Sequence, residues 1–139
     1  MKLMETGKLM ETEYKKKYIK LQDLEVYKLS RELSKIGWEI YEKMDWQTKK
    51  VIGDQFITAT DSFGANLAEG YSRYHYLDKI KFFYNSRGSL TEAVHWVELL
   101  FERGKVTKEA FQTFTKIANP CSIKLQNLIS SNYKARDKQ

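Results

Sequence analysis

The chain has 139 residues, which is enough for one domain with its own hydrophobic core. It contains one proline, Pro120, and seven glycines, and this scarcity of chain breakers favours long helices over many short strands. The single cysteine, Cys121, excludes an internal disulfide and is typical of a cytoplasmic protein. No apolar run reaches the length of about 18 residues that a membrane span needs, so we expect no membrane partner.

The net charge of +6 comes mainly from the two ends of the chain. Residues 1–20 contain six lysines and three glutamates, whereas residues 21–133 contain 15 basic and 14 acidic residues and are nearly neutral. We predict three parts: a basic, mobile N-terminal arm over 1–20, a helical bundle over 21–133 and a basic C-terminal tail over 134–139.

Four lysines of the arm are the candidates for binding nucleic acid. They are Lys15, Lys16, Lys17 and Lys20. A basic segment of this kind binds phosphate backbones with a strong dependence on salt. It is equally typical of a tail that only keeps a protein soluble, and the sequence leaves both interpretations open.

Four stretches have the apolar spacing of amphipathic helices. They cover approximately residues 24–44, 50–72, 76–103 and 108–133. Asp23 and Thr107 are the predicted N-caps of the first and last helices, and Gly104 is the predicted stop of the third. Because the connections are short, these helices predict an all-α, antiparallel up-down-up-down four-helix bundle.

Small residues interrupt the apolar faces of the first two predicted helices. Ser30 and Gly37 fall within the apolar face of the first helix, where they predict the close approach of a neighbouring helix. Gly64 lies in the middle of the second helix and costs about 1 kcal/mol relative to alanine, so it predicts a bend or a tight contact.

Polar side chains form a line along the second predicted helix. Ser62, Asn66, Glu69 and Arg73 are spaced at i, i+4, i+7 and i+11, which places them on one face. Arg87 falls within the apolar face of the third helix, where a cation needs a partner. We predict a structural polar network of these five residues, with Glu69 or a carboxylate of the first helix paired to Arg87. The alternative is an anion or ligand site built on the two arginines.

The third predicted helix has an apolar arc of roughly 200°, wider than the arc of about 100° that buries one face. The excess lies in a second strip that includes Phe82, Trp96 and Leu100. We predict that these three residues lie in a subunit interface of a homo-oligomer. The alternative is that the strip is the flank of a thick core.

The sequence offers little for catalysis, and we predict no enzyme, metal site or cofactor. Glu92 and His95 match one Glu-x-x-His unit of a di-iron bundle, but such a site needs a second unit and two more glutamates. Cys121 lies on the apolar face of the fourth helix, as a small core residue does. The chain has no glycine-rich phosphate loop and no nucleophile elbow.

Two motifs resemble those of the 23S rRNA intervening-sequence protein family. Residues 65–73, Ala-Asn-Leu-Ala-Glu-Gly-Tyr-Ser-Arg, resemble its Ala-Asn-Ile-Ala-Glu-Gly-x-x-Arg signature. Residues 82–92 are similar to its Phe-Leu-x-x-Ala-Arg-Gly-Ser-x-x-Glu stretch, and 24–28 to the opening of its first helix. The likeness covers about residues 21–130. The chain departs from the family at Gly64, where proline is frequent, and at Pro120.

The resemblance implies a bacterial, cytoplasmic antiparallel four-helix bundle that assembles into a ring-like homopentamer. Relatives of this family include the accessory variability protein of diversity-generating retroelements, which implies work with a reverse transcriptase and nucleic acid. We therefore predict a non-catalytic oligomeric accessory factor that contacts RNA or a nucleoprotein partner. The alternative is a purely structural or protein-binding oligomer with no nucleic-acid role.

Overall fold

The computed structural model describes residues 19–139, which fold into four long helices and contain no strand. The helices are α1 (Glu25–Glu42), α2 (Asp54–Ser72), α3 (Tyr76–Glu102) and α4 (Lys108–Asp137). Both α1 and α3 pack against α2 and α4, so the four helices surround a common core. Its largest fully buried side chains include Leu33, Phe56, Phe63, Phe83 and Phe114. The prediction of an all-helical bundle is confirmed.

The predicted stop of α3 is confirmed at Gly104, whose φ of +69° lies in the left-handed region that favours glycine. Its N–H donates to the carbonyl of Phe101, and the N–H of Lys105 donates to the carbonyl of Leu100. This pair of bonds is the Schellman motif, which satisfies two carbonyls at the helix end.

The two predicted N-caps have different outcomes. Thr107 caps α4 as predicted, because its hydroxyl accepts a hydrogen bond from the N–H of Ala110 (3.1 Å). The prediction for Asp23 is wrong, since this residue ends a short 3₁₀ turn and Leu24 occupies the N-cap position of α1 without a side-chain bond. Because Asp23 belongs to the 3₁₀ turn, the helix begins one residue later than predicted.

The last helix is longer than its sequence indicates. It continues through Pro120 to Asp137, and so includes most of the predicted basic tail over 134–139. Leu125 and Ile129, both beyond the proline, are buried in the core, and this packing compensates for the hydrogen bond that proline removes.

The chain enters α2 through a wider helical turn. Asp45 accepts a hydrogen bond from the N–H of Thr48 (2.8 Å) and so caps a single turn over Trp46–Thr48. The next five residues, Lys49–Gly53, form a π-helical segment that leads directly into α2. The helical chain therefore begins at Trp46, inside the stretch that the sequence indicates as a connection.

Small residues bring α1 and α2 into close contact, as the sequence predicts. A Cβ atom on Gly37 would lie 2.9 Å from Cγ2 of Thr60, and one on Gly64 would lie 2.9 Å from Oγ of Ser30. Both hydroxyls are satisfied locally, since Ser30 and Thr60 donate to carbonyls of the preceding turn of their own helices. These contacts leave no room for larger side chains.

The contact between α2 and α3 is equally close. A Cβ atom on Gly70 would lie 2.8 Å from Cε1 of Phe83 and 3.0 Å from the carbonyl oxygen of Lys79. Further along the same interface, the buried hydroxyl of Ser86 donates to the backbone carbonyl of Phe63 (2.9 Å). This bond joins the two helices without a charged group.

The rotation of α3 differs from the prediction. Its buried residues are Ile80, Phe83, Ser86, Leu90, Ala93, Val97 and Leu100. Ser86 therefore occupies the interior position predicted for Arg87, and Arg87 is exposed. Leu100 is fully buried within the chain, so its prediction as an interface residue is wrong. The physical reason is that a small hydroxyl finds a partner at the α2 contact, whereas a guanidinium there would lose its hydration.

Replacing Gly70 by alanine tests the α2–α3 contact. Because the added methyl group meets a ring and a backbone oxygen, we expect Gly70→Ala to lower the free energy of unfolding by roughly 1–3 kcal/mol. Gly88 on the same helix pair is the matched control, since a Cβ there has no neighbour within 4 Å. Gly88→Ala should raise the stability by roughly 0.5–1 kcal/mol. Urea denaturation measures both, and equal stability of the two variants would contradict the assigned contact.

Candidate functional site

The predicted polar line on α2 consists of two separate local pairs. The side-chain amide of Asn66 donates to the carbonyl of Ser62 (3.0 Å), and the guanidinium of Arg73 lies 2.6 Å from the carboxylate of Glu69. Each pair joins residues four apart on one helix, and Glu69 and Arg73 are exposed. Arg87 takes part in neither, so the predicted inter-helical network of five residues is not formed.

Arg73 has a second contact that reaches α3. Its guanidinium lies 4.7 Å from the ring centre of Phe82, a cation–π distance. Glu69 holds the same guanidinium from the α2 side, so Arg73 is fixed between a carboxylate and an aromatic ring. Arg73, predicted for the polar network, thus contacts Phe82, predicted for the subunit interface.

The turn between α2 and α3 holds a lysine and a tyrosine together. Lys79 Nζ donates to the carbonyl of Tyr71 (2.8 Å) and lies 5.3 Å from the centre of the Tyr71 ring. Burial lowers the pKa of the Lys79 amine, because water solvates its charge less well there. The Tyr71 hydroxyl donates to the carbonyl of Ile19, so Ile19 is held at this turn.

Of the predicted nucleic-acid-binding lysines, Lys20 is exposed next to this turn. Lys15, Lys16 and Lys17 lie outside the described residues, as does most of the predicted arm over 1–20.

Two further cation–aromatic pairs lie where α3 meets α4. The guanidinium of Arg87 is 5.0 Å from the Tyr84 ring centre, and that of Arg136 is 5.3 Å from the Tyr133 ring centre. The two tyrosine hydroxyls are 3.4 Å apart, which joins the pairs across the helices. This hydrogen bond raises the pKa of Tyr133. Arg87 also reaches the side-chain oxygen of Gln126 at 3.4 Å.

Together these residues lie on two flanks of the first half of α3, one against α2 and the other against α4, and we call them the basic aromatic surface. It comprises Tyr71, Arg73, Lys79, Phe82, Tyr84, Arg87, Tyr133 and Arg136. Aromatic rings and guanidinium planes stack on nucleic-acid bases, and the cations bind phosphates. The arrangement is therefore suited to binding a nucleic acid.

Sequence reasoning found Arg73, Phe82 and Arg87 but missed the two tyrosines that pair with arginines. A signal was present, since each tyrosine precedes its arginine by three residues on one helix, a spacing that brings side chains together. The contact between Tyr84 and Tyr133 depends on the packing of α3 against α4 and has no local signal.

The remaining interface candidates lie at the edge of the core: Trp96 packs partly against it, and Phe82 lies at the contact of α3 with α2. Phe82 and Trp96 are partly buried within the chain, and the indole N–H of Trp96 donates to the carboxylate of Glu92 (3.1 Å). Both side chains keep exposed area that a second subunit could cover.

Other chemistry has little support among residues 19–139. Cys121 is fully buried, and burial, with a smaller effect of Glu32, raises the pKa of its thiol to about 12, so a thiolate is disfavoured. No group of three or more His, Cys, Asp or Glu residues in this range is placed to hold a metal ion. None of the helices described here is long and apolar enough to cross a membrane.

Comparison with known proteins identifies similar structures and a family. A protein of unknown function from the S23 ribosomal protein family of Bacteroides thetaiotaomicron has a similar fold, with a TM-score of 0.70. The two chains are 22% identical, and the alignment covers 75% of this chain and 97% of the other. No curated protein matches the chain. The family model of the 23S rRNA-intervening sequence protein matches residues 22–127, which include both motifs of α2 and α3. The chain therefore belongs to the 23S rRNA-intervening sequence protein family.

Proposed function

We propose that this protein is a non-catalytic, cytoplasmic accessory factor that assembles as a homo-oligomer and contacts RNA. The observation that carries the proposal is the basic aromatic surface, where four Lys or Arg side chains lie against aromatic rings around one half of α3. This combination supplies both phosphate binding and base stacking.

The position of the N-terminal segment supports this proposal. Ile19 accepts a hydrogen bond from Tyr71, a member of the basic aromatic surface, and Lys20, the next residue, is exposed. A lysine at this position adds positive charge that raises the rate of encounter with a polyanion. The arm and the surface would therefore contact the same RNA or nucleoprotein.

The proposed assembly is a ring of antiparallel bundles, a pentamer as the family resemblance implies. Only residues 73–75 separate α2 from α3, and helices joined by so short a link and packed side by side run in opposite directions. Phe82 and Trp96 are the candidate contacts between subunits, because both retain exposed aromatic area on one face.

A second candidate function is that of a protein-binding oligomer with no role in nucleic-acid binding. The observation that favours it is apolar exposure at the opposite end of the bundle, where Trp46 is 68% and Val51 62% exposed. Exposed apolar side chains of this size are typical of protein-binding surfaces. Binding of a labelled RNA to the isolated protein separates the two functions.

Replacing Trp96 by lysine tests the assembly. Glu92 accepts a hydrogen bond from Trp96, so a lysine at this position keeps an i,i+4 partner and the helix should remain folded. A charge in an apolar interface is costly, and we expect Trp96→Lys to give monomers or smaller oligomers in sedimentation velocity. Trp38→Lys is the matched control, since Trp38 is a half-exposed tryptophan on α1. A monomeric wild type would contradict the proposed assembly.

Replacing the four arm lysines by glutamine tests their contact with RNA. Each phosphate contact to a single strand contributes about −0.7 to the slope of log K against log salt. If Lys15, Lys16, Lys17 and Lys20 each hold one phosphate, the slope should become shallower by about 3 units in a fluorescence-polarisation titration.

The control for the arm variant replaces four exposed lysines of the bundle. They are Lys43, Lys50, Lys108 and Lys116. This variant has the same net charge as the arm variant, and its slope should stay close to that of the wild type. If the slope of log K against log salt becomes equally shallow in both variants, net charge and not the arm determines the binding.

A further inference from the structure

We infer that the part of the basic aromatic surface between α3 and α4 binds single-stranded RNA, with bases stacked at Tyr84 and Tyr133 and a phosphate held by Arg87. The inference rests on the proposed function and names the form of RNA that this surface takes. It follows from the placement of the two rings, from the charge of Arg87 and from the shape of RNA.

Tyr84 on α3 and Tyr133 on α4 meet through their hydroxyl groups, and we call this pair the aromatic platform. Tyr133 is half-buried, with part of its ring against the core. Tyr84 on α3 is 39% exposed, and its hydroxyl lies 3.4 Å from that of Tyr133 on α4. A guanidinium lies over one face of each ring, that of Arg87 over Tyr84 and that of Arg136 over Tyr133, so a base can use the other face or the guanidinium plane. A nucleobase stacks on a tyrosine ring or on the plane of a guanidinium, so the platform offers places for adjacent bases.

The two arginines differ in the charge that they have available. Arg136 is 2.8 Å from the carboxylate of Asp137, which neutralises much of its charge. Among residues 19–139, Arg87 forms no ion pair with a carboxylate, and its partners are the neutral Gln126 and the Tyr84 ring. A guanidinium with five N–H donors and no anion is suited to a phosphate oxygen. Arg87 is therefore the phosphate-binding group of this platform.

Whether RNA binds as a duplex or as a single strand depends on whether its bases can reach the two tyrosine rings. In an A-form duplex the bases stack on one another, and side chains cannot read the deep, narrow major groove. Tyrosines on the outer surfaces of two packed helices have no way to reach those bases. Unpaired bases can turn outward onto the rings, so the platform selects single strands over duplexes.

The test compares labelled RNA oligomers by fluorescence polarisation at fixed salt. The probes are a 12-nucleotide oligouridylate, which has no internal structure, and a 12-base-pair RNA duplex. We expect the full-length wild type to bind the single strand more tightly than the duplex. Replacing both Tyr84 and Tyr133 by leucine should weaken single-strand binding by about 30-fold or more, since stacking on each ring is worth at least about fivefold. The matched double replacement by phenylalanine keeps both rings and should bind within about threefold of the wild type.

Arg87→Gln provides a second, independent variant, since Arg87 is exposed and its loss should leave the fold intact. It should make the slope of log K against log salt shallower by about 0.7, as expected for one lost phosphate contact to a single strand. Circular dichroism and thermal unfolding check that each variant is folded.

The experiment distinguishes a failure of this inference from a failure of the proposed function. If the wild type binds RNA but the leucine variant binds the single strand equally well, the stacking platform is wrong and the RNA-binding function stands. Equal affinity of the wild type for single strand and duplex also overturns the inference alone. If the wild type binds neither probe, the proposed RNA contact is wrong and the inference falls with it.

Discussion

The close packing of α2 against its two neighbours is the constraint on which the rest of this molecule depends. On one side Gly64 leaves only the space that Ser30 occupies, and on the other Gly70 lies against Phe83. The bond from Ser86 to the Phe63 carbonyl then fixes how α3 is rotated on α2. These contacts tolerate little change, because protein interiors are packed at the density of organic crystals. A larger side chain at either glycine would require the neighbouring atoms to shift.

The rotation of α3 determines which of its residues meet the solvent. With Ser86 turned inward, the next residue, Arg87, turns outward and approaches Tyr84. The motif over residues 82–92 thus contributes both to the packing of the bundle and to the candidate RNA surface. Tyr133 packs against the core and Phe82 is partly buried, whereas the exposed Arg73, Arg87 and Arg136 contribute little to stability. The role proposed for these arginines is therefore in binding and not in folding.

The sequence predicts the helices, the stop at Gly104 and the close contacts of Gly37 and Gly64, because periodicity and cap chemistry are local. It does not predict which of two adjacent residues faces the core, since an apolar spacing of alternating 3 and 4 residues fits Leu100 and Phe101 equally well. Neighbours on a helix differ by 100°, and contacts with other helices decide between them. The basic aromatic surface combines three helices, so only its pairs within one helix could be recognised from sequence.

The most direct test of the account asks where RNA touches the protein. Oligouridylate that carries 5-iodouridine forms covalent bonds with nearby aromatic side chains under ultraviolet light, and mass spectrometry then locates the modified peptides. The account predicts modification at Tyr84 and Tyr133, on the basic aromatic surface. Trp38 and Trp46 lie on other surfaces of the bundle and are also exposed, so they serve as internal references. Modification confined to these tryptophans, with both tyrosines unmodified, would contradict the assignment of the RNA surface.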